Sequence, residues 1–292
     1  MPPLLFAPAA LMVNALVFGL SWWPFRQLQA LGLHPMWTTS LTYLLVIVVL
    51  VLHQPNGWRG FFKHPGLLLL MVAAGMANVG FNWAVTVGDV VRAVLLFYLM
   101  PAWAVLLAWP VLAEKPSAGS LFRLALALVG VAVVLKTPGS VWPVPSSAAD
   151  WLALMGGFCF ALTNVMLRKL QAVSGSARML AMFGGGALMS TCAALLGMNL
   201  GVVSSPPPLA LPWVLGVLAM SAVWLLANFA LQYGATRLSS STTSIIMLSE
   251  VVFATVSSVL MGAGTLTLNT LLGGALILLA SLLAVLSFGK SR

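Results

Sequence analysis

Residues 18–30, FGLSWWPFRQLQA, and residues 160–172, FALTNVMLRKLQA, decide the fold, because they are two copies of one segment. Phe18, Leu20, Arg26, Leu28, Gln29 and Ala30 recur as Phe160, Leu162, Arg168, Leu170, Gln171 and Ala172, and Ser21 is matched by Thr163. A second match, at a slightly longer offset, lays Asn82-Trp83-Ala84 and Gly88 over Asn228-Phe229-Ala230 and Gly234. The chain is therefore read as a duplicated unit. The Pro- and Ser-rich stretch 138–149 is its natural joint, with a first unit at 1–137 and a second at 150–292.

Outward from these copies the sequence is apolar almost throughout. Of 292 residues, 61% are hydrophobic and only 6% charged, a composition that leaves too little charge for a water-exposed surface. The lipid bilayer is the solvent, and about 20 apolar residues are needed to cross its roughly 30 Å core as a helix. Apolar runs bounded by Pro, Gly, Asn and charge predict ten spans: 7–29, 36–54, 65–87, 91–113, 118–136, 150–171, 177–200, 211–234, 241–262 and 267–288. The fold class is all-α integral membrane, ten transmembrane helices as two five-helix repeats.

Five is odd, so the second copy enters the membrane from the side opposite to the first. The charges agree. With the N-terminus inside, the inner connections hold Arg59, Lys63, Lys115, Arg123, Arg168, Lys169, Arg178, Arg237, Lys290 and Arg292, and the outer ones only Arg26, Arg92 and Lys136. Basic loops stay cytoplasmic, which places both termini there and makes the repeats inverted. Two units related by an axis in the membrane plane can rock around one central site, a recurring plan of secondary transporters.

Polar groups at membrane depth are costly and mark helix contacts or a solute path. Asn14, Asn78, Asn82, Asn164 and Asn228 fall within spans; Asn78 and Asn82 share a face, as do Asn14, Phe18, Ser21, Trp22 and Phe25. Such amides either join helices, for about 0.6–2 kcal/mol each, or line a cavity. Trp22, Trp83, Tyr98, Trp103 and Trp224 lie deep enough to stack on an apolar or aromatic solute, whereas Trp58, Trp142, Trp151 and Trp213 sit at span ends and fit an interfacial belt. Pro101 and Pro110 are expected to interrupt the fourth span and free backbone carbonyls.

Glu250 is the one acidic residue deep within a span, at an insertion cost on the order of 3 kcal/mol. It either meets a solute ammonium or exchanges protons, or it bonds to a hydroxyl of the run Ser239–Ser244. Asp89 and Arg92, three apart in a tight connection, are expected to pair. Gly184, Gly185, Gly186, Gly197 and Gly201 fit close helix contacts, and Cys159 and Cys192 are read as small apolar residues.

The sequence resembles the ten-helix, EamA-type members of the drug/metabolite transporter superfamily. The likeness rests on Asn82-Trp83-Ala84, Tyr98-Leu99-Met100-Pro101 and Glu114-Lys115-Pro116-Ser117 in the first half, and on Asn228-Phe229-Ala230 and Glu250 in the second. Gly262-Ala263-Gly264-Thr265 departs from it by lacking the turn Glu. Ser21-Trp22-Trp23-Pro24 and the abundance of Trp resemble the aromatic amino acid exporters of that group. The resemblance implies an inner-membrane carrier exporting a small zwitterion such as an aromatic or other neutral amino acid; ten helices suffice to enclose a cavity, so a monomer is expected, without cofactor or metal.

Its other partner is the lipid bilayer; no basic run points to nucleic acid, despite a formal charge of +9. No phosphate-binding loop and no His/Asp/Glu cluster is present, so neither ATP hydrolysis nor a membrane metalloprotease is expected. An exporter of another uncharged metabolite or drug is the nearest alternative, and a membrane-embedded enzyme or scaffold the alternative of another class.

Overall fold

The computed structural model describes residues 2–53, 61, 64–113, 115–136, 144–235, 237–238 and 246–288. The expected joint 138–149, the turn Glu114, Trp58, Trp142 and the run Ser239–Ser244 fall wholly or partly outside the described residues. Among the described residues every regular element is a helix. In chain order they are α1 (Pro2–Gly19), α2 (Trp22–Ala30), α3 (Pro35–His53), α4 (Gly66–Val87), α5 (Val90–Phe97), α6 (Met100–Leu112), α7 (Ala118–Leu135), α8 (Ala148–Lys169), α9 (Gly175–Asn199), α10 (Leu211–Ala235), α11 (Ser249–Leu260) and α12 (Leu268–Phe288).

Eight stretches are long and apolar enough to cross a bilayer, α1 with α2 and α5 with α6 each counting as one, and the apolar helices Ser249–Leu260 and Leu268–Leu283 complete the ten spans. The large apolar residues left exposed, among them Leu52, Phe122, Leu196, Leu226 and Leu260, lie on several different helices, as expected where lipid replaces water.

The duplication is visible in the packing. α4 lies against α8 and α9; its counterpart α10 lies against α1 and α3. α5 and α6 pack on α8, and α11 packs on α1. Exchanging the two repeats carries these contacts into one another. Two pairs of counterpart helices meet each other, α3 with α9 and α7 with α12, and the counterpart fourth and ninth spans meet through α5 and α11; these seams mark the pseudo-twofold. A side chain on Gly88 would strike Ala149, and one on Gly234 would strike Ala7 and Leu11; Gly88 and Gly234, like Ala7 and Ala149, are equivalent positions of the repeat.

Close helix approach depends on glycine at such crossings. A Cβ on Gly75 would come within 2.3 Å of the Gly185 carbonyl, where α4 crosses α9. The expected role in helix contact thus holds for Gly185 and Gly186 but not for Gly184, which faces open space. Gly201 also has nothing beside it; its φ of 71° shows a left-handed turn residue, so its glycine serves the chain reversal after α9 instead.

Candidate functional site

The fourth and ninth spans are both broken where they face each other. In the fourth, α5 ends at Phe97, Tyr98 and Leu99 form the step, and α6 resumes at Met100 with Pro101 in its first turn. Proline suits that place because its missing N–H has no partner there in any helix. The break therefore precedes Pro101, and Pro110, expected to interrupt the helix as well, lies within a continuous α6. In the ninth span the step is Leu248, and α11 begins at Ser249 with Glu250 in its first turn. The Ser249 hydroxyl donates to the Ile246 carbonyl at 2.6 Å, turning back across that step.

The two breaks bring the Tyr98 hydroxyl beside the Glu250 carboxyl. Glu250 is surrounded by protein yet keeps accessible side-chain surface, as a group lining an internal crevice does. Its carboxylate also sits at the positive end of α11, which favours negative charge.

Each break is held by a close glycine from the other span that packs on it. A Cβ on Gly19 of α1 would come within 2.8 Å of the Glu250 carbonyl, and one on Gly157 of α8 within 2.5 Å of the Phe97 carbonyl. Neither carbonyl can shift without breaking helix geometry, so both sites exclude any larger residue.

Aromatic rings wall the space on both sides. Trp224 is buried among Phe18 and Phe25, each with ring centres 6.0 Å away, and Tyr43 at 5.2 Å. On the other side Phe97 meets Phe81 at 4.7 Å, Phe160 at 5.4 Å and Tyr98 at 6.4 Å. Trp22 is buried in the same cluster as Tyr98 and Val251, and its indole donates to the Ser257 hydroxyl at 3.0 Å. Trp103 packs edge-on against Phe158, and its indole N–H is buried without a partner.

The asparagines divide. Asn14 donates to the Ala227 carbonyl at 2.7 Å and Asn82 to the Thr39 hydroxyl at 3.0 Å, so both join helices. Asn78 accepts from the Tyr43 hydroxyl at 2.5 Å and donates to Ala74, staying partly accessible beside the Trp224 group. Asn228 is also partly accessible; Asn164 is exposed and donates only to the Phe160 carbonyl of its own helix.

Trp83 lies away from the breaks, its ring edge-on to His34 at 5.2 Å. His34 is buried near the start of α3 and accepts from the Met36 amide at Nδ1; burial pushes its imidazole down to about 4. Trp213, expected in an interfacial belt, is instead buried beside Leu28 and donates to the Pro208 carbonyl, while Trp151 is exposed at a helix start. Tyr43, Thr39 and Ser257 were not singled out by sequence; the rarity of tyrosine, with three in the chain, was the one available signal.

One end of the molecule is cross-linked between repeats. Arg92 does not pair with Asp89: its guanidinium grips Asp150 of α8 through bonds of 2.7 and 2.8 Å and donates to the Val134 carbonyl. Asp89 caps α5 through the Arg92 amide, and its other oxygen accepts from the Thr265 amide and hydroxyl at 2.7 and 2.8 Å. The Val90 amide donates to the Ala263 carbonyl, and Asn269 donates to the Lys136 carbonyl. On the same rim Arg26 satisfies the terminal carbonyls Val85 and Gly88 of α4.

The model of the EamA-like transporter family matches residues 5–136 and 147–286, one copy on each half. No curated protein matches the chain. Fifteen chains of solved structures share its fold. One of them, titled only "Crystal structure of protein", is 18% identical over 98% of this chain and 99% of its own, with a TM-score of 0.58.

Proposed function

Because this chain belongs to the EamA-like transporter family, and so is a membrane transporter of the drug/metabolite type, we propose that it exports small zwitterionic solutes, aromatic and other neutral amino acids first, across a bacterial inner membrane. The two units, 1–137 and 150–292, rock about the α3–α9, α5–α11 and α7–α12 seams, with both termini cytoplasmic. The cross-linked rim then faces outward, closed, and the solute exchanges with the cytoplasm in this state.

The observation that carries this reading is the Tyr98–Glu250 contact between two broken helices. A zwitterion needs an anion for its ammonium, donors for its carboxylate and an apolar seat for its side chain. Glu250 supplies the first. The unpartnered indole N–H of Trp103 supplies the second. The Phe97 and Trp224 ring groups supply the third, at about 0.5–1.5 kcal/mol per well-placed aromatic pair. Solute arriving at Glu250 displaces Tyr98, which unties the two breaks, and this local release is how occupancy reaches the seams.

Purified protein in liposomes, loaded with radiolabelled phenylalanine, tryptophan or leucine and assayed with and without a pH gradient, tests the proposal. Saturable counterflow of the aromatic amino acids, competed by one another, is expected. Absence of flux for all three would reject the substrate class, and the gradient arm reads out proton coupling through Glu250.

A further inference from the structure

A cleft of about 510 Å³ opens on the flank of the molecule between the first turn of α4 and the last turns of α6 and α8, away from the helix breaks. Its walls are apolar, including Leu69, Val111, Met166 and Leu170, and His64 and Lys169 also line it. All of these lie at or within about one turn of helix ends, which is the depth of the headgroup region and the upper acyl chains. Two features create the gap. Pro110 lines it, and α6 stops soon afterwards at Ala113, whose left-handed φ of 57° ends the helix before it can cover α4 and α8.

Lys169 has no ion-pair partner among the described residues. Three of the chain's four carboxylates are committed elsewhere, Asp89 to the α5 cap and Thr265, Asp150 to Arg92 and Glu250 to Tyr98. A lysine in the last turn of α8 is favourable for the helix dipole, but that accounts for its sign and not for the hollow beside it. Among the described residues no carboxylate pairs with Lys169, so its ammonium is open to an anion from outside the chain. In a lipid-facing cleft with an apolar floor, the partner at hand is an anionic phospholipid.

We propose that this cleft seats one anionic phospholipid, an acyl chain along Leu69, Val111 and Met166 and the phosphate against Lys169, with His64 beside it. The site is separate from the solute path and does not depend on the substrate assignment. Basic pockets between transmembrane helices recognise such headgroups at about 1 kcal/mol per basic residue near the surface, which is about fivefold in affinity.

The test uses full-length protein, delipidated in detergent and titrated with phosphatidylglycerol or phosphatidylcholine, with bound lipid counted by native mass spectrometry. One phosphatidylglycerol per chain is expected to persist, held about fivefold more tightly than phosphatidylcholine. Lys169→Gln should erase that preference, Lys169→Arg should keep it, and Lys115→Gln, removing a basic residue outside the cleft, should leave it intact. Equal retention of both lipids by the unaltered protein would overturn the proposal. So would an equal loss of preference in Lys169→Gln and Lys115→Gln, which would reveal general attraction to a basic rim.

Discussion

The fourth and ninth spans share a backbone plan and differ in chemistry. Both break at mid-membrane and both receive a glycine from a packing neighbour, Gly157 against the Phe97 carbonyl and Gly19 against the Glu250 carbonyl. Yet the fourth presents Tyr98 and Pro101 at its break, and the ninth presents Glu250. Duplication supplies two equivalent steps, and divergence has put the charge on one and the neutral hydroxyl on the other. A symmetric pair of carboxylates would repel; a Tyr–Glu pair can close on itself when no solute is present.

The fourth span is also the better anchored of the two, because Arg92 at its start grips Asp150. Removing Asp150 strands a guanidinium at a site where its partner is almost fully buried, so Asp150→Ala should cost about 3 kcal/mol. The check is a lowered thermal midpoint in detergent, together with faster labelling of a cysteine placed on the rim. Gly157→Val should cost about 2 kcal/mol or more, since the clash is with a backbone carbonyl. Gly19→Val should match it, and an effect confined to one of the two would break the equivalence of the steps.

Chemistry should separate the spans where sterics does not. Glu250→Gln removes a charge-assisted contact worth roughly 1.5–3 kcal/mol, so solute flux should fall about tenfold or more at an unchanged melting midpoint. Tyr98→Phe removes one neutral donor, roughly 1 kcal/mol, and should lower flux only about fivefold; equal losses would mean that the two steps carry equal chemistry.

An effect confined to acid belongs to His34, away from both breaks. Its imidazole lies at about 4 in the folded protein against an ordinary 6.5. Above 6.5 both folded and unfolded forms are neutral there; as pH falls towards 4 the unfolded chain takes up the proton first, so stability declines across that window. In His34→Gln that part of the acid dependence should vanish from a denaturation series.

Much of this architecture is legible in sequence because the bilayer imposes it. The run 65–87 becomes α4 at Gly66–Val87, and 118–136 becomes α7 at Ala118–Leu135, since span length follows from membrane thickness and the ends are marked by Pro, Gly and charge. Long-range partners are not legible in that way. Spacing pointed from Arg92 to Asp89, but Asp89 caps its own helix, and the guanidinium reaches a residue 58 positions away that only the folded packing brings near. Helical periodicity placed Asn78 and Asn82 on one face, without revealing that Tyr43 lies opposite one and Thr39 opposite the other. The break in the fourth span was signalled by Pro101 but lies two residues earlier, because proline begins the new helix and does not end the old one.

Equilibrium binding of radiolabelled phenylalanine to the purified transporter, measured side by side with Glu250→Gln and Tyr98→Phe, tests most directly whether the paired helix breaks form the solute seat. Saturable one-to-one binding that is lost in Glu250→Gln and tightened in Tyr98→Phe, whose ring no longer competes for the carboxylate, is the expected result. Binding of equal strength in all three proteins would contradict it, and would place the solute elsewhere in the molecule.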